Sequence, residues 1–365
     1  MLRRLTPAAL LAALMLTALT VACSSTSGST PGPEPTSRAA VEIATSRPET
    51  PTPTATPEAL KIAFVGDLML ARDVTTLLET EGSGYALERA LPLFDGADLV
   101  IGNLEGTLTD RGVPLEKTYT FRTPPALVEA LAPFDAVSLA NNHSTDYGSE
   151  GLEDTLAALD GAGIEAFGAG LDAARAEAPA ILEARGLRVA ILGIDDIEGV
   201  TPASEDAPGV AFAPADPALL SPRIEAAADE ADFVVLFMHA GTEYDQVPTD
   251  RQRALAHAAI EAGADLVIGA HPHVLQPFEE YGDGLIAYSL GNFVFDLDRE
   301  DFEVLYGPGP FQSAVALVTL RPGARPTIEY RPAFIDVDEN RPRPATAEEA
   351  TTILEVTTEL ETAQP

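Results

Sequence analysis

Seven side chains able to do acid–base or metal chemistry stand directly after apolar runs: Asp67, Glu105, Asn142, His143, His239, His271 and His273. The densest group is His271-Pro272-His273, which closes the run in residues 262–277. In extended backbone residues i and i+2 point the same way, and a proline biases the residue before it toward extended geometry. Both imidazoles are therefore expected to leave the strand end in one direction, an arrangement that suits metal ions about 3.5–4 Å apart. Carboxylates and neutral imidazoles are donors for zinc, manganese and iron, and no thiolate stands among these residues. Cations held there would serve the hydrolysis of phosphoesters or, less often, amides. Each residue also has a plainer reading, since Asp67 could cap a helix and Asn141-Asn142 could form an ordinary turn.

The elements that must position these residues follow from the hydrophobic pattern. Apolar runs at residues 61–65, 98–102, 136–140, 187–194, 233–238 and 284–289 alternate with helical patterns, which predicts an α/β architecture with a largely parallel sheet. Open α/β sheets bind ligands at the carboxyl ends of their strands. Four of the five histidines fall at such ends. The fifth, His257, lies in a helical pattern over 249–262 and reads as structural. Asp195 and Asp196 follow the run 187–194 and are expected to be solvated in a loop. Residues 313–320 and 327–335 flank Arg321-Pro322-Gly323 and predict a closing hairpin.

The ends of the chain differ from its middle. Residues 1–22 have the charged start and apolar run of a secretory signal. Cys23 is the only cysteine, so no intramolecular disulfide can form. Its place after Val21-Ala22 resembles a bacterial lipobox, although Thr20 stands where that pattern usually has leucine. Lipid on Cys23 is therefore the expected membrane attachment, and residues 23–60, rich in Ser, Thr and Pro, the tether. The formal charge of −35 argues against a nucleic-acid partner. Any polyanion would need local positive charge, such as a bound metal. Residues 336–365 read as an acidic tail with a peripheral helix over 347–360.

In ordered combination the motifs are more specific than any one of them. Gly66-Asp67 with Arg72, Asn103-Leu104-Glu105, Asn141-Asn142-His143, His239 with Gly241 and Glu243, Gly269 with His271-Pro272-His273, and Ser289-Leu290-Gly291-Asn292-Phe293 together resemble the CapA family of capsule synthesis proteins over about residues 61–335. The resemblance implies a metallophosphatase-like sandwich of two packed β-sheets flanked by helices. It also implies a role in making or exporting poly-γ-glutamate, with the anionic polymer or its synthesis and export machinery as partner, outside the cytoplasm. Carried over residue by residue, it makes Asp67 and His273 ligands of a first divalent metal and Glu105 the bridging acid. Asn142, His239 and His271 would surround a second metal, and His143 would protonate a leaving oxygen, with Asn142 beside it. The pattern departs at Met69, where the superfamily commonly has histidine, and at Glu105, where it commonly has aspartate. The implied cofactor is one or two ions of manganese, iron or zinc. A phosphoester hydrolase and a non-catalytic polymer-binding or scaffold component are the competing readings.

Overall fold

The computed structural model describes residues 59–297 and 304–360. The signal at 1–22, the lipid site Cys23 and nearly all of the tether lie outside the described residues.

Alternation along the central strands sets the layers, because successive side chains in a strand face opposite ways. In β1 (Leu60–Leu68), Ile62 and Phe64 enter one apolar cluster while Ala63 and Val65 enter another. β1 lies parallel to β2 (Leu99–Leu104), which pairs with β3 (Ala136–Ser138), which pairs with β4 (Glu165–Phe167). The chain then builds a second sheet from β5 (Ala180–Ala184), β6 (Leu187–Asp195), β7 (Phe233–His239), β8 (Leu266–Ala270), β9 (Phe278–Tyr281) and β10 (Gly284–Ala287). Here β6, β7, β8 and β10 are parallel, and β5 and β9 are antiparallel edges.

It returns to the first sheet with β11 (Asn292–Val294), parallel to the end of β1, and with β12 (Gln312–Arg321), β13 (Ala324–Asp336) and β14 (Arg341–Pro344), all antiparallel. The expected hairpin at 321–323 is the β12–β13 turn. The expected largely parallel sheet is instead two mixed sheets: the closing hairpin pairs antiparallel along β1 in the first, and β5 and β9 are the antiparallel edges of the second.

Ile62, Phe64, Ile101, Ile191, Val235 and Phe237 share the core between the sheets. The opposite faces are covered by helices. α1 (Asp73–Glu81) and α2 (Gly148–Ala162) bury Val74, Leu78, Leu152 and Leu159 on the first sheet, and α3 (Ser221–Ala228) and α4 (Asp250–Glu261) bury Ile224, Leu255 and Ala259 on the second. Strands with both faces covered read as unbroken apolar runs, which is why 233–238 shows no polar alternation. Two packed β-sheets flanked by helices are thus the architecture. α4 begins at a capping box between Thr249 and Gln252. Its His257 bonds Glu279 at 3.1 Å and stacks on Tyr281, a structural role. After Asp336 the acidic segment adds β14 and then α5 (Ala347–Val356), whose Ile353 packs with Leu275 and Ala314.

Two strand ends come so close to a neighbouring backbone that only glycine fits. A Cβ on Gly66 would sit 1.9 Å from the carbonyl oxygen of Gly291, and one on Gly269 would sit 1.9 Å from that of Tyr288. We expect Gly66→Ala to cost about 3 kcal/mol, the upper range for overpacking. Gly161→Ala, on α2 with nothing within 4 Å of the added carbon, should be neutral or stabilising by up to about 1 kcal/mol. Urea midpoints of the two variants check this, and equal shifts would refute the close-approach argument.

Candidate metal centre

The parallel registers bring the chemistry-bearing residues to one end of the sandwich. Asp67 pairs with Asn103 on one side and Asn292 on the other, while His239 stands level with Asp195 and Ala270 in the second sheet. Asp67, Glu105, His143, His239, His271 and His273 are all buried, and Asn142 is half-buried.

Asn103 holds the two sheets' ligands together. Its Nδ2 donates to Asp67 Oδ1 at 2.8 Å and lies 3.2 Å from His239 Nδ1, while its Oδ1 accepts from Asn141 Nδ2 at 3.0 Å. Asn141 in turn donates to Leu104 O and accepts from the His143 backbone, locking the Asn141-Asn142-His143 turn onto β2. Asn292 uses its Nδ2 on the carbonyls of His273 and Pro310, so its Oδ1 is left to accept from His273 Nδ1 at 2.9 Å. That fixes the ring with Nδ1 protonated, and His273 Nε2 faces Glu105 Oε1 at 3.9 Å.

Two groups of donor atoms converge. Asp67, Glu105 and His273 form one, and Glu243, His271 and His273 the other, each with its ligand atoms within 4.8 Å of one another. His239 falls outside both groups, and its Nε2 lies 3.1 Å from Asn142 Oδ1. His143 Nε2 lies 3.8 Å from Glu105 Oε1. Its Nδ1 bonds Asp146 at 2.8 Å, and Lys117 Nζ pairs with the other Asp146 oxygen at 2.6 Å while donating to Asn142 O at 2.7 Å. Phe121 stacks on the His143 ring.

The electrostatics fit a cation. Both Glu105 oxygens and His271 Nδ1 are buried without a hydrogen-bond partner, in a structure that satisfies most such atoms. Burial, then the charge of Asp67, raises the Glu105 pKa well above the usual carboxylate range. Burial pulls His273 down, yet Glu105 and Asp67 outweigh it and push the imidazole up to about 9. Burial and the neighbouring imidazoles lower His239 and His271, and burial lowers His143 despite Asp146. Neutral imidazoles and charged carboxylates are the forms that ligate a metal, so a bound cation would displace the protons that the raised Glu105 and His273 otherwise retain. This donor set suits a divalent ion.

Two expectations need correction. His271 has φ 97° and His273 φ 57°, so the turn is not extended. The rings still stand 5.7 Å apart, because Asp67 accepts the His271 N–H at 3.3 Å and Tyr244 N–H binds Pro272 O at 2.7 Å. Pro272 thus biases its neighbour less than these contacts do. Asp195 is not solvated: it is fully buried, and the loop after it folds back so that its backbone pairs with Ala211 and Ala213. Asp196 does reach the surface side, paired with Arg251. Met69 is buried with Phe121, Phe295 and Leu297, and its sulfur accepts the Ala71 N–H.

Asn103, Asp146, Lys117 and Asn292 were not read as site residues. Asn103 and Asn292 lie inside motifs that drew notice for their neighbours, and Asp146 stands three residues after His143, a spacing that a turn brings together. Lys117 had no local signal, since 25 residues separate it from the Asn142 carbonyl it binds.

Residues 61–297 match the family described as bacterial capsule synthesis protein PGA_cap. The chain is 39% identical over 245 residues to the PGA biosynthesis protein CapA of Bacillus subtilis, covering 66% of this chain and 64% of that protein. It is 35% identical over 302 residues to the capsule biosynthesis protein CapA of Bacillus anthracis, covering 80% and 70%. Among solved structures it is similar to a putative 5′-nucleotidase from Staphylococcus aureus at 15% identity and TM-score 0.47, over 82% of this chain and 58% of that one. A likeness that loose says nothing of activity. By its matched residues and its relatives, the chain belongs to the PGA_cap family of bacterial capsule synthesis proteins.

Proposed function

We propose that this chain acts in the synthesis or export of a poly-γ-glutamate capsule through one or two divalent ions of manganese, iron or zinc. Asp67, Glu105, His271 and His273 hold them, with Asn142 and His239 completing the set when the ions bind. The observation that carries this reading is the pair of unpartnered, buried Glu105 oxygens between Asp67 and His273. The names of the two CapA relatives support the polymer. A bound ion supplies charge neutralisation and polarises an oxygen of the bond to be cut.

The chain's own residues do the rest. Asn103 aims Asp67 and His239, and Asn292 accepts from His273 Nδ1, which leaves Nε2 toward Glu105. Asp146, itself neutralised by Lys117, holds the His143 ring with Nε2 toward Glu105. In its protonated form that nitrogen can hand a proton to a leaving group. Phe121 and Phe295 wall the histidines from water. The His143–Asp146 pair equally serves a phosphoester hydrolase. Met69, which offers sulfur packed among aromatic rings and no nitrogen, favours polymer binding without cleavage. In this reading lipid on Cys23 and the tether hold the domain on the outer face of the membrane.

Purified full-length protein should contain metal. Asp67→Asn and His273→Ala should weaken metal binding by roughly tenfold or more. His143→Ala should keep its metal and lose about 10²–10⁴-fold in hydrolysis of γ-glutamyl polymer or phosphoester. Metal-free wild type, with all three variants behaving alike, would sink the proposal, and retained metal with neither hydrolysis selects the binding reading. Separately, Cys23→Ala should move the protein from the membrane to the soluble fraction in a fractionation experiment, and continued membrane retention counts against the anchor.

A further inference from the structure

We propose that Glu243 is a cation ligand, and that it, His271 and His273 together hold a divalent metal ion with no contribution from Met69. The inference rests on the metal-centre reading above and adds a residue to it.

Glu243 is exposed, and an exposed acid is ordinarily a solvated one. Its backbone is placed more firmly than solvation requires. The loop after β7 is tied to the turn after β8 at two points: Ala240 N–H bonds Ala270 O at 3.1 Å, and Tyr244 N–H bonds Pro272 O at 2.7 Å. Gln276 donates to Asp245 O at 2.8 Å, securing the far side. To meet these bonds Tyr244 takes φ 63°, a left-handed conformation costing about 1–3 kcal/mol for such a residue. The segment carrying Glu243 is thereby bound to the segment carrying both histidines.

A second observation points to a ligand. His271 is buried, and its Nδ1 has no hydrogen-bond partner, although it belongs to the cluster whose donor atoms lie within 4.8 Å of one another. A metal ion held between His271 and Glu243 would give that ring and the Glu243 carboxylate a common partner. His273 is common to this cluster and to the one containing Asp67 and Glu105, and with Nδ1 given to Asn292 its Nε2 serves one ion at a time. Glu243 adds a hard oxygen donor and a negative charge beside the two imidazoles. That shifts preference toward manganese.

The test is Mn²⁺ binding to metal-stripped full-length protein, read by titration calorimetry and by the Mn²⁺ EPR signal, with no activity required. Glu243→Gln should weaken binding about tenfold or more and change the EPR signal of the bound ion. Glu230→Gln, an exposed acid on the loop after α3, should leave both unchanged. Thermal midpoints in chelator should match across the set, since Glu243 is exposed. Weakened binding in Asp67→Asn with wild-type binding in Glu243→Gln would overturn the Glu243 assignment and leave the metal centre standing. Equal weakening in Glu243→Gln and Glu230→Gln would reduce the effect to general charge and overturn it too. No Mn²⁺ binding by the wild type would remove both.

Discussion

The site is governed by two carboxylates, Asp67 and Glu105, buried near one another under two sheets. An isolated charge moved from water into protein interior costs on the order of tens of kcal/mol in the idealised limit, and real proteins avoid that by pairing it or neutralising it. Asp67 is paired: Asn103, the His271 N–H and His273 all face it. Glu105 is not: both its oxygens lack a hydrogen-bond partner among the described residues, and the His143 and His273 Nε2 atoms lie 3.8 and 3.9 Å from its Oε1. One positive imidazole cannot compensate two acids. The raised Glu105 pKa is the consequence, and a bound cation would relieve the same strain in place of a proton.

Holding the acids there demands backbone that the sequence would not otherwise adopt. Of the six non-glycine residues with positive φ among the described residues, four, Arg72, Tyr244, His271 and His273, lie on segments leaving β1, β7 and β8 toward the site. Such conformations persist only where neighbouring contacts over-determine them. Those contacts are visible: the Tyr244–Pro272 bond, the Asn292 amide on His273 O, and the ion pair of Arg72 with Asp296 at 3.0 Å. Gly66 admits Leu290-Gly291 and Gly269 admits Ala287-Tyr288 against the two strand ends. The rigid sheets therefore supply a frame, and the strain sits in the turns that carry donors.

Much of this was legible because hydrophobic runs and their polar termini are local signals. Asp67, Glu105, His271 and His273 could be named from their position after buried strands, and the β12–β13 hairpin from its turn. What escaped depends on long-range pairing. Lys117 reaches Asp146 and Asn142 from a segment with no regular structure, and Asp195 is buried because a distant loop folds back over it. The His271 conformation escaped for a different reason: the local preference imposed by Pro272 is weak, and contacts from Asp67 and the β7 loop overrode it. The two-sheet sandwich followed from the family resemblance, but the mixed strand directions escaped, because direction is fixed by connection and a hairpin arriving late in the chain can pair on either side.

The net charge gives the site its last constraint. A chain at −35 repels a polyanion, and the cationic side chains near the site offer no relief. Arg72 is paired with Asp296 and Lys117 with Asp146, so each is already neutralised. Asp67, Glu105 and Glu243 add three more acids at the same place. On the proposed reading the divalent ions therefore do more than prepare a reaction. Two of them would reverse the sign of the local field, giving an acidic protein one region where an anionic polymer can settle. Polymer recognition and metal occupancy would then be coupled through the same carboxylates, with Glu105 at the centre of both.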